Sequence, residues 1–377
     1  MNEKLVTVVI PAYHATKHIT DALSSIQIQS IVDKVKVIIS VDDTTDDYSF
    51  TKKEFPKLDI TILKCEKNGG PGVARQRGLD ACDTEWVTFI DADDVFFTPL
   101  SLEALLNGAI KDVIEVQGTF FQEVNDGPNG ERLLPRNDVG HPWVFGRLYN
   151  VPFLRQSGIG FSNLRAMEDG ELNWRIRLSI ENSPLHINVI DTPVYLWRVG
   201  SEHSITRIGI KENDGVPLYN WDLCLVGSTA ASINAIKFSK KKNPFNGNIN
   251  KFTVEMMIGQ YFSYVQCLER KPLFAKQCFF NAKRFYNACY KDIENQIDEE
   301  VLKNMYTFAN MQHSQDMIGI IPQITFFDFM KQIKEEDFRG KEEWEEIRAE
   351  LPDWVIELDK KSGVLGEEGY IPVVGED

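Results

Sequence analysis

Four short apolar runs, separated by amphipathic stretches, constrain the fold of this chain more than any other feature. They are rich in β-branched residues, and each ends at turn or acidic residues: 5–10 (LVTVVI), 35–41 (VKVIISV), 60–63 (ITIL) and 86–90 (WVTFI). Such runs predict buried parallel strands. Helical patterns fall between them, as from His18 to Gln29 and from Gly72 to Ala81. The alternation predicts an open α/β sheet, in which ligands gather at the carboxyl ends of the strands.

The second part of the chain has a different pattern. Beyond about residue 215 the β signals fade, and long helical patterns take over. The chain has 377 residues, of which 43% are apolar and 26% charged, and one core rarely serves a chain of this length. We therefore predict an α/β domain over residues 1–210 and a mostly helical domain over residues 211–377.

Features that the sequence lacks indicate the cellular compartment of the protein. Its first residues, MNEKLVTVVIPAY, have no basic start and no long apolar core before a cleavage site. No apolar run approaches the length of a membrane span. The six cysteines are widely spaced and form no C-x-x-C pair, which favours free thiols in a reducing compartment. We expect a cytoplasmic protein without a membrane span.

The net charge of −15 is unevenly distributed. Eleven basic and two acidic residues lie between Lys237 and Lys291, whereas fifteen acidic and six basic residues lie between Lys334 and the end. Aromatic residues alternate with the cations of the basic segment, a mixture that can bind phosphates and stack on bases. The alternative is an amphipathic pair of helices with solvent-exposed Lys and Arg side chains and buried aromatic residues. We expect the acidic tail to dock on the basic segment.

Polar residues follow the first two predicted strands. The first strand leads into Pro11, Tyr13 and His14, and the second into Asp42 and Asp43. Two carboxylates at a strand end can accept hydrogen bonds from a nucleobase N–H and from ribose hydroxyls. Acidic clusters at strand ends are also common as solvated turns, so this pattern alone leaves both interpretations open.

A glycine-rich segment, NGGPGVARQRG, runs from Asn68 to Gly78. Glycines before a helix, such as Gly72, allow backbone N–H groups to approach an anion, and Arg75 adds positive charge. No Gly-Lys-Ser/Thr closes the segment, so it is not a P-loop. A simple turn at the start of a helix is the alternative.

An Asp-x-Asp pattern, Asp91 and Asp93, directly follows the fourth predicted strand, and Asp94 comes next. Carboxylates packed together repel one another unless a cation lies among them, and hard divalent ions with oxygen ligands suit such a site. A metal there could bridge a diphosphate and neutralise charge on a leaving group.

Two later segments complete the candidate site. Glu168 and Asp169 open an amphipathic helix, either as a carboxylate base near a hydroxyl or as acids favoured at the positive helix end. Arg198 and His203 follow an apolar strand. His203 is either a metal or phosphate ligand or an ordinary surface histidine.

Taken in order, these segments resemble the inverting glycosyltransferase family 2, which has the GT-A fold. The matching pieces are VVIPAY, VDDTTDD, NGGPGVARQRGLD, FIDADD, WVFGRLYNVPFLRQSGIGF, MEDGELNW and YLWRVGSEHSIT, which span about residues 5–206. The resemblance implies a mixed sheet flanked by helices, followed by a helical domain for acceptor binding or oligomerisation. It also implies a nucleoside-diphosphate sugar donor, most simply a UDP-sugar, and a divalent cofactor, Mn²⁺ or Mg²⁺.

The resemblance also assigns roles to individual residues. Asp169 is implied as the general base, with Glu168 orienting the acceptor or the base. The remaining residues divide between the donor and the metal: Pro11, Tyr13, Asp42 and Asp43 for the nucleoside, Asn68, Gly72 and Arg75 for the loop beside the donor, Asp91 and Asp93 for the metal, and Arg198 and His203 for the diphosphate. His14, Thr44, Thr45, Gln76 and Arg147 depart from the family pattern.

The acceptor is not fixed by family membership. We expect a polyanionic acceptor on the basic segment, with a slight preference for a hydroxymethylated DNA base over a teichoic acid. A neutral cell-envelope glycan, such as that of capsule or lipopolysaccharide, is a further alternative. So is a non-catalytic protein that binds nucleotide sugars. The sequence leaves open whether the protein forms a homo-oligomer.

Overall fold

The computed structural model consists of two compact units, Met1–Ile205 and Thr206–Asp377. The described residues are 3–125, 131–137, 141–181, 183–198, 212–213, 216–217, 220–243, 247–312, 319–362, 370–371 and 373. The cysteines whose side chains are described, Cys65, Cys82, Cys267, Cys278 and Cys289, are free thiols. Among the described residues, no helix combines the length and the apolar character needed to cross a membrane.

The first unit is built on a mixed sheet, with nine strands among the described residues. The strands are β1 (Val6–Ala12), β2 (Val35–Val41), β3 (Asp59–Lys64), β4 (Trp86–Phe89), β5 (Val95–Phe96), β6 (Val113–Asn125), β7 (Glu131–Arg136), β8 (Arg147–Asn150) and β9 (His186–Trp197). Their order is β3-β2-β1-β4-β8-β6-β9-β5, and β7 pairs with β6. The four strands predicted from the apolar runs are β1 to β4, which pair in parallel. β8 lies antiparallel to β4 and β6, so the predicted mixed sheet is confirmed.

Helices flank this sheet, as predicted. They are α1 (Ile19–Gln27), α2 (Phe50–Glu54), α3 (Pro71–Asp80), α4 (Ser101–Gly108), α5 (Val151–Ser157) and α6 (Glu168–Ile180). Helix α3 begins after Gly70, whose φ of 87° lies in the left-handed region that favours glycine. It packs closely on β1, because Gly78 lies directly against the Val9 side chain and has no room for a Cβ.

The carboxyl ends of β1, β2 and β4 lie at one edge of the sheet, because these strands are parallel neighbours. Helix α3 begins at the same edge, since it follows the loop that connects it to β3. The predicted polar segments after each strand are thereby brought together. This edge therefore holds the candidate site.

The second unit is mostly helical, as predicted. Its helices are α7 (Asn220–Lys242), α8 (Gly247–Arg270), α9 (Ala275–Phe285), α10 (Glu299–Gln312), α11 (Phe326–Glu335), α12 (Lys341–Ala349) and α13 (Asp353–Ser362). Before α7, two short strands, β10 (Glu212–Asn213) and β11 (Val216–Pro217), pair in antiparallel orientation. A π-helical turn, Tyr286–Tyr290, follows α9.

The basic segment of this unit contributes extensively to its core. The aromatic residues buried there are Tyr261, Phe262, Phe280, Phe285, Tyr286 and Tyr290. Lys283 is 3% exposed and pairs with Glu343 at 2.7 Å and Glu336 at 3.4 Å. Arg284 donates to the carbonyl oxygen of Ile371 and lies 4.4 Å from the ring centroid of Tyr370. The acidic C-terminal part thus docks on the basic segment, and these rings pack in the core instead of forming an exposed stacking surface.

Candidate active site

Arg75 connects two of the predicted acidic elements. Its guanidinium donates to Asp91 Oδ1 at 2.7 Å and to Glu168 Oε1. The Arg75 side chain is 8% exposed and that of Glu168 6%, whereas Asp91 is 38% exposed. Burial opposes the charge of Arg75, but Asp91, Glu168 and Asp169 together raise its pKa above the ordinary value. One side chain from α3 therefore holds the end of β4 next to the start of α6.

Asp94 is the buried carboxylate of the turn after β4. It accepts hydrogen bonds from the Tyr195 hydroxyl at 2.6 Å and from the Arg198 backbone N–H at 2.8 Å. The same hydroxyl accepts from the Asp91 backbone N–H at 3.2 Å. Burial, with the charges of Asp91 and Asp93, raises the pKa of Asp94 well above its usual range. Asp94 thus fixes the shape of the turn, while the half-buried Asp91 and Asp93 form its more accessible part.

Asp169 lies in the first turn of α6, after Met167, whose φ of 64° is left-handed. The carboxylate is half-buried and accepts one hydrogen bond, from the Gly170 backbone N–H at 2.7 Å. Burial and the adjacent charge of Glu168 raise the pKa of Asp169 to about 7, although Arg75 acts in the opposite direction. A carboxylate with this pKa can accept a proton near neutral pH.

The glycine-rich segment makes a close packing contact. A Cβ at Gly72 would lie 2.6 Å from the Ser162 carbonyl oxygen and 2.9 Å from that of Leu164. Only a residue without a side chain lets α3 approach the chain that leads into α6 so closely. Gly72 therefore allows Arg75 to reach Glu168.

Asp42 joins the end of β2 to the same segment. Its carboxylate accepts from the backbone N–H of Gly70 at 2.7 Å and of Gly69 at 3.2 Å, and from Arg77 at 3.3 Å. The Asn68 side-chain amide donates to the Asp42 carbonyl oxygen at 2.9 Å. Asp42, predicted to contact the nucleoside, and Asn68, predicted to shape the loop beside the donor, are thus hydrogen-bonded to each other.

Asp43 shapes the turn after β2 and holds the end of β1. It accepts from the backbone N–H of Asp46 at 2.7 Å and of His14 at 3.3 Å. His14, Asp43 and Asp46 form a group with ligand atoms within 4.8 Å of one another, the kind of group that could hold a metal ion. Pro11 is half-buried, and Tyr13 is 51% exposed beside the His14 ring.

Of the last two predicted site residues, Arg198 and His203, only Arg198 lies within the described residues. Arg198 binds Asp94 through its backbone, and its guanidinium donates to Asp21 at 2.7 Å. His203, predicted as a metal ligand, lies outside the described residues.

Sequence reasoning missed Tyr195 as part of this site. Its hydroxyl links the backbone of Asp91 to the side chain of Asp94, which lies 101 positions away in sequence. The available signal was an aromatic residue at the end of a strand, three positions before Arg198. That pattern is too common to predict the contact.

Comparisons with known proteins find similarity to glycosyltransferases in the first unit. Residues 7–163 match the model of Glycosyl transferase family 2. Over 125 residues, the chain is 29% identical to an uncharacterized glycosyltransferase of Rickettsia conorii, covering 33% of this chain and 18% of that protein. Over 91 residues, it is 33% identical to the poly(ribitol-phosphate) beta-N-acetylglucosaminyltransferase TarS of Staphylococcus aureus, covering 23% and 16%. The chain thus spans less than a fifth of the length of these relatives.

A solved structure extends the likeness across more of the chain. The crystal structure of S. aureus TarS 1-349 in complex with UDP-GlcNAc has a TM-score of 0.60 at 16% identity, covering 83% of this chain and 92% of that one. At this identity the likeness establishes the fold alone. The first unit thus matches glycosyltransferase family 2 over residues 7–163 and has the GT-A fold.

Proposed function

We propose that this protein is an inverting glycosyltransferase that moves a sugar from a nucleoside diphosphate to an acceptor hydroxyl, with Asp169 as the general base. The observation that carries the proposal is the environment of Asp169. Its carboxylate is half-buried at the start of α6 with a pKa raised to about 7, and Arg75 joins the adjacent Glu168 to Asp91. Strongly perturbed pKa values of carboxylates cluster at functional sites.

The reaction needs one base and no covalent intermediate. Asp169 removes the proton of the acceptor hydroxyl as the oxygen attacks the anomeric carbon in line. A new carbon–oxygen bond forms, the bond from that carbon to the diphosphate breaks, and the nucleoside diphosphate leaves with the bonding electrons. Attack opposite the leaving group inverts the anomeric configuration. Holding the reactants in this geometry supplies much of the rate.

A divalent metal ion, Mn²⁺ or Mg²⁺, fits the residues after β4. Asp91 Oδ1 is held by Arg75, while Oδ2 has no hydrogen-bond partner among the described residues, and the carboxylate is 38% exposed. Asp91 and Asp93 supply the oxygen ligands that hard cations prefer. Bound there, the ion would neutralise charge on the leaving diphosphate. Asp94 is a poor ligand because the Tyr195 hydroxyl and the Arg198 N–H already occupy its oxygens.

The donor we propose is a UDP-sugar, at the ends of β1 and β2. Tyr13 is exposed there and can pack against a base, while Pro11 and Asp43 border the same edge. The relative TarS, whose structure was solved with UDP-GlcNAc, supports uridine as the first nucleoside to test.

The acceptor we propose is a cell-envelope glycan or glycopolymer. The printed function of the relative TarS, a poly(ribitol-phosphate) beta-N-acetylglucosaminyltransferase, supports it. The alternative of a hydroxymethylated DNA base drew on aromatic residues of the basic segment, and most of the described ones are buried. A non-catalytic binding protein is less consistent with the raised pKa of Asp169.

The test is transfer from labelled UDP-GlcNAc, with Mn²⁺ or with EDTA. The acceptors are poly(ribitol phosphate), a mixture of envelope oligosaccharides, and duplex DNA with or without hydroxymethylcytosine. We expect metal-dependent donor hydrolysis in every mixture and transfer to an envelope acceptor. Binding of UDP-GlcNAc without hydrolysis or transfer would favour the binding protein, and transfer to DNA would overturn the proposed acceptor.

A further inference from the structure

A stack of aromatic rings leads outward from the aspartate turn. The Tyr195 ring, whose hydroxyl binds Asp94, lies 4.6 Å from Phe145 at an interplanar angle of 11°. Phe145 lies 5.5 Å from Trp143 at 10°. Tyr195 and Phe145 are buried, whereas Trp143 is half-buried. The stack therefore ends in an indole that is partly open to solvent.

A second indole completes the outer end of this stack. Trp197 follows Tyr195 by two positions in β9, so both side chains point to the same face of the sheet. Its ring lies 5.2 Å from Trp143 at 51° and 5.8 Å from Phe145. Trp197 is also half-buried. The two indoles form a single apolar surface, which we call the tryptophan pair, Trp143 and Trp197.

Each member of the tryptophan pair is tied to one side of the candidate active site. Asn173, one helical turn after Asp169, donates to the carbonyl oxygens of Pro142 at 2.6 Å and Trp143 at 3.2 Å. On the other side, Trp197 directly precedes Arg198, whose N–H donates to Asp94. The tryptophan pair thus links the helix of the base to the turn of the metal-binding aspartates.

Buried polar contacts make this surface rigid. Arg147 is 0% exposed, pairs with Glu115 and donates to the His141 carbonyl oxygen, two residues before Trp143. The Tyr149 hydroxyl donates to Asn173 Oδ1 at 2.9 Å and thereby orients the amide that holds Trp143. A surface fixed in this way loses little conformational freedom when a ligand packs on it.

The chemistry of the pair is apolar. The imidazole beside it, His141, stays neutral near pH 7, because burial and the charges of Arg147 and Arg177 lower its pKa to about 3. Indole faces attract flat apolar surfaces, and the C–H face of a pyranose ring is one of these. An acyclic ribitol phosphate offers no such face.

We propose that Trp143 and Trp197 bind a pyranose ring of the acceptor and so select a cyclic sugar over an acyclic polyol phosphate. This rests on the proposed function, because the ring must present a hydroxyl to Asp169. The ring packs its C–H face on the indoles and keeps its hydroxyls toward solvent and the base. A nucleobase could also stack there and is an outcome of the test.

The experiment uses the full chain with UDP and Mn²⁺, and probes an array of α- and β-linked oligosaccharides. Poly(ribitol phosphate) and hydroxymethylcytosine duplex DNA are spotted beside them. The variants are Trp143→Ala and Trp197→Ala, with Trp143→Phe and Trp197→Phe retaining a ring. Leu100→Ala, 58% exposed on α4's N-terminal side, is the surface control. UDP-GlcNAc hydrolysis without acceptor is measured for every protein.

We expect wild type to bind at least one pyranose oligosaccharide, and each alanine variant to weaken that binding about tenfold. The phenylalanine variants and Leu100→Ala should bind the oligosaccharide within about twofold of wild type, and Leu100→Ala should also leave the KM for UDP-GlcNAc hydrolysis unchanged. The tryptophan proposal is overturned if the alanine variants bind as wild type does, or if only ribitol phosphate or DNA is bound. Absence of both UDP-GlcNAc binding and hydrolysis would instead refute the proposed function itself.

Discussion

Arg75 donates a hydrogen bond to Asp91 at 2.7 Å, which places a buried cation directly against a carboxylate proposed to bind metal. The other end of the same guanidinium holds Glu168, next to the proposed base. A planar guanidinium can hold two carboxylates in fixed directions, which a lysine ammonium cannot do equally well. The position of Asp91 and that of Asp169 therefore depend on one side chain.

The first prediction concerns this bridge. Arg75→Lys keeps the positive charge but cannot hold Asp91 and Glu168 together, so the base and the aspartates move apart. We expect kcat/KM for UDP-GlcNAc hydrolysis to fall about 100-fold, since small misplacements have effects of this size. The matched control is Arg155→Lys, because Arg155 caps the backbone carbonyl of Cys82. Equal losses in both variants would show that Arg75 has no special role.

The second prediction concerns pH. Because the pKa of Asp169 is raised to about 7, the fraction in the base form increases as pH rises through that value. The rate should therefore rise between about pH 6 and pH 8 and then level off. Asp169→Asn should abolish this limb and reduce turnover by at least about 100-fold, with UDP affinity unchanged. A variant that keeps the wild-type profile would rule out Asp169 as the base.

The third prediction concerns stability without metal. The pKa of Asp94 is higher in the folded protein than its usual value, so the folded state holds the proton more tightly than the unfolded one. The free energy of unfolding contributed by this group is greatest at low pH and is lost as pH rises above about 4 toward the folded pKa. Asp94→Asn, which is neutral throughout, should flatten this dependence.

Urea unfolding in EDTA at several pH values between 4 and 8 measures the effect. Asp83→Asn is the control, because Asp83 is largely exposed and pairs with Lys36 at the surface. The interpretation fails if Asp94→Asn shows the same pH dependence as wild type.

The fourth prediction concerns the second unit. Deleting residues 370–377 removes the Ile371 carbonyl and the Tyr370 ring from Arg284, which is 1% exposed. Loss of a hydrogen bond donated by a buried cation should cost about 2 kcal/mol of unfolding free energy. Lys276→Ala breaks an exposed pair with Glu350 and should cost less than about 1 kcal/mol. Equal unfolding midpoints for the deletion and wild type would contradict this role.

The sequence predicted the parts of the fold that repeat locally. The four apolar runs became β1 to β4 because a parallel strand buried on both faces needs continuous apolar residues. The partners of β6 and β9 were not predictable in the same way. β9 mixes exposed and buried positions, and its pairing with β6 is interrupted by register shifts.

The candidate site was predictable as a set of residue types, but not as a set of contacts. Asp91 and Asp169 stand in recognisable motifs, so their proximity to one edge of the sheet followed from the fold. That Asp42 binds the backbone of Gly69 and Gly70 depends on the direction of a loop, which no residue pattern encodes. In the basic segment, charge and aromatic content did not reveal that Lys283 is buried.

The hydrogen bond between Tyr195 and Asp94 also has a consequence for folding during synthesis. A ribosome completes β1 to β4 long before it reaches Tyr195, so the aspartate turn emerges with its buried carboxylate still unpaired. Contacts this distant in sequence close late in folding. A nascent chain shorter than about 195 residues therefore carries every aspartate of the turn without the hydroxyl that sets its shape. The aspartate turn therefore takes its final shape only after β9 has been synthesised.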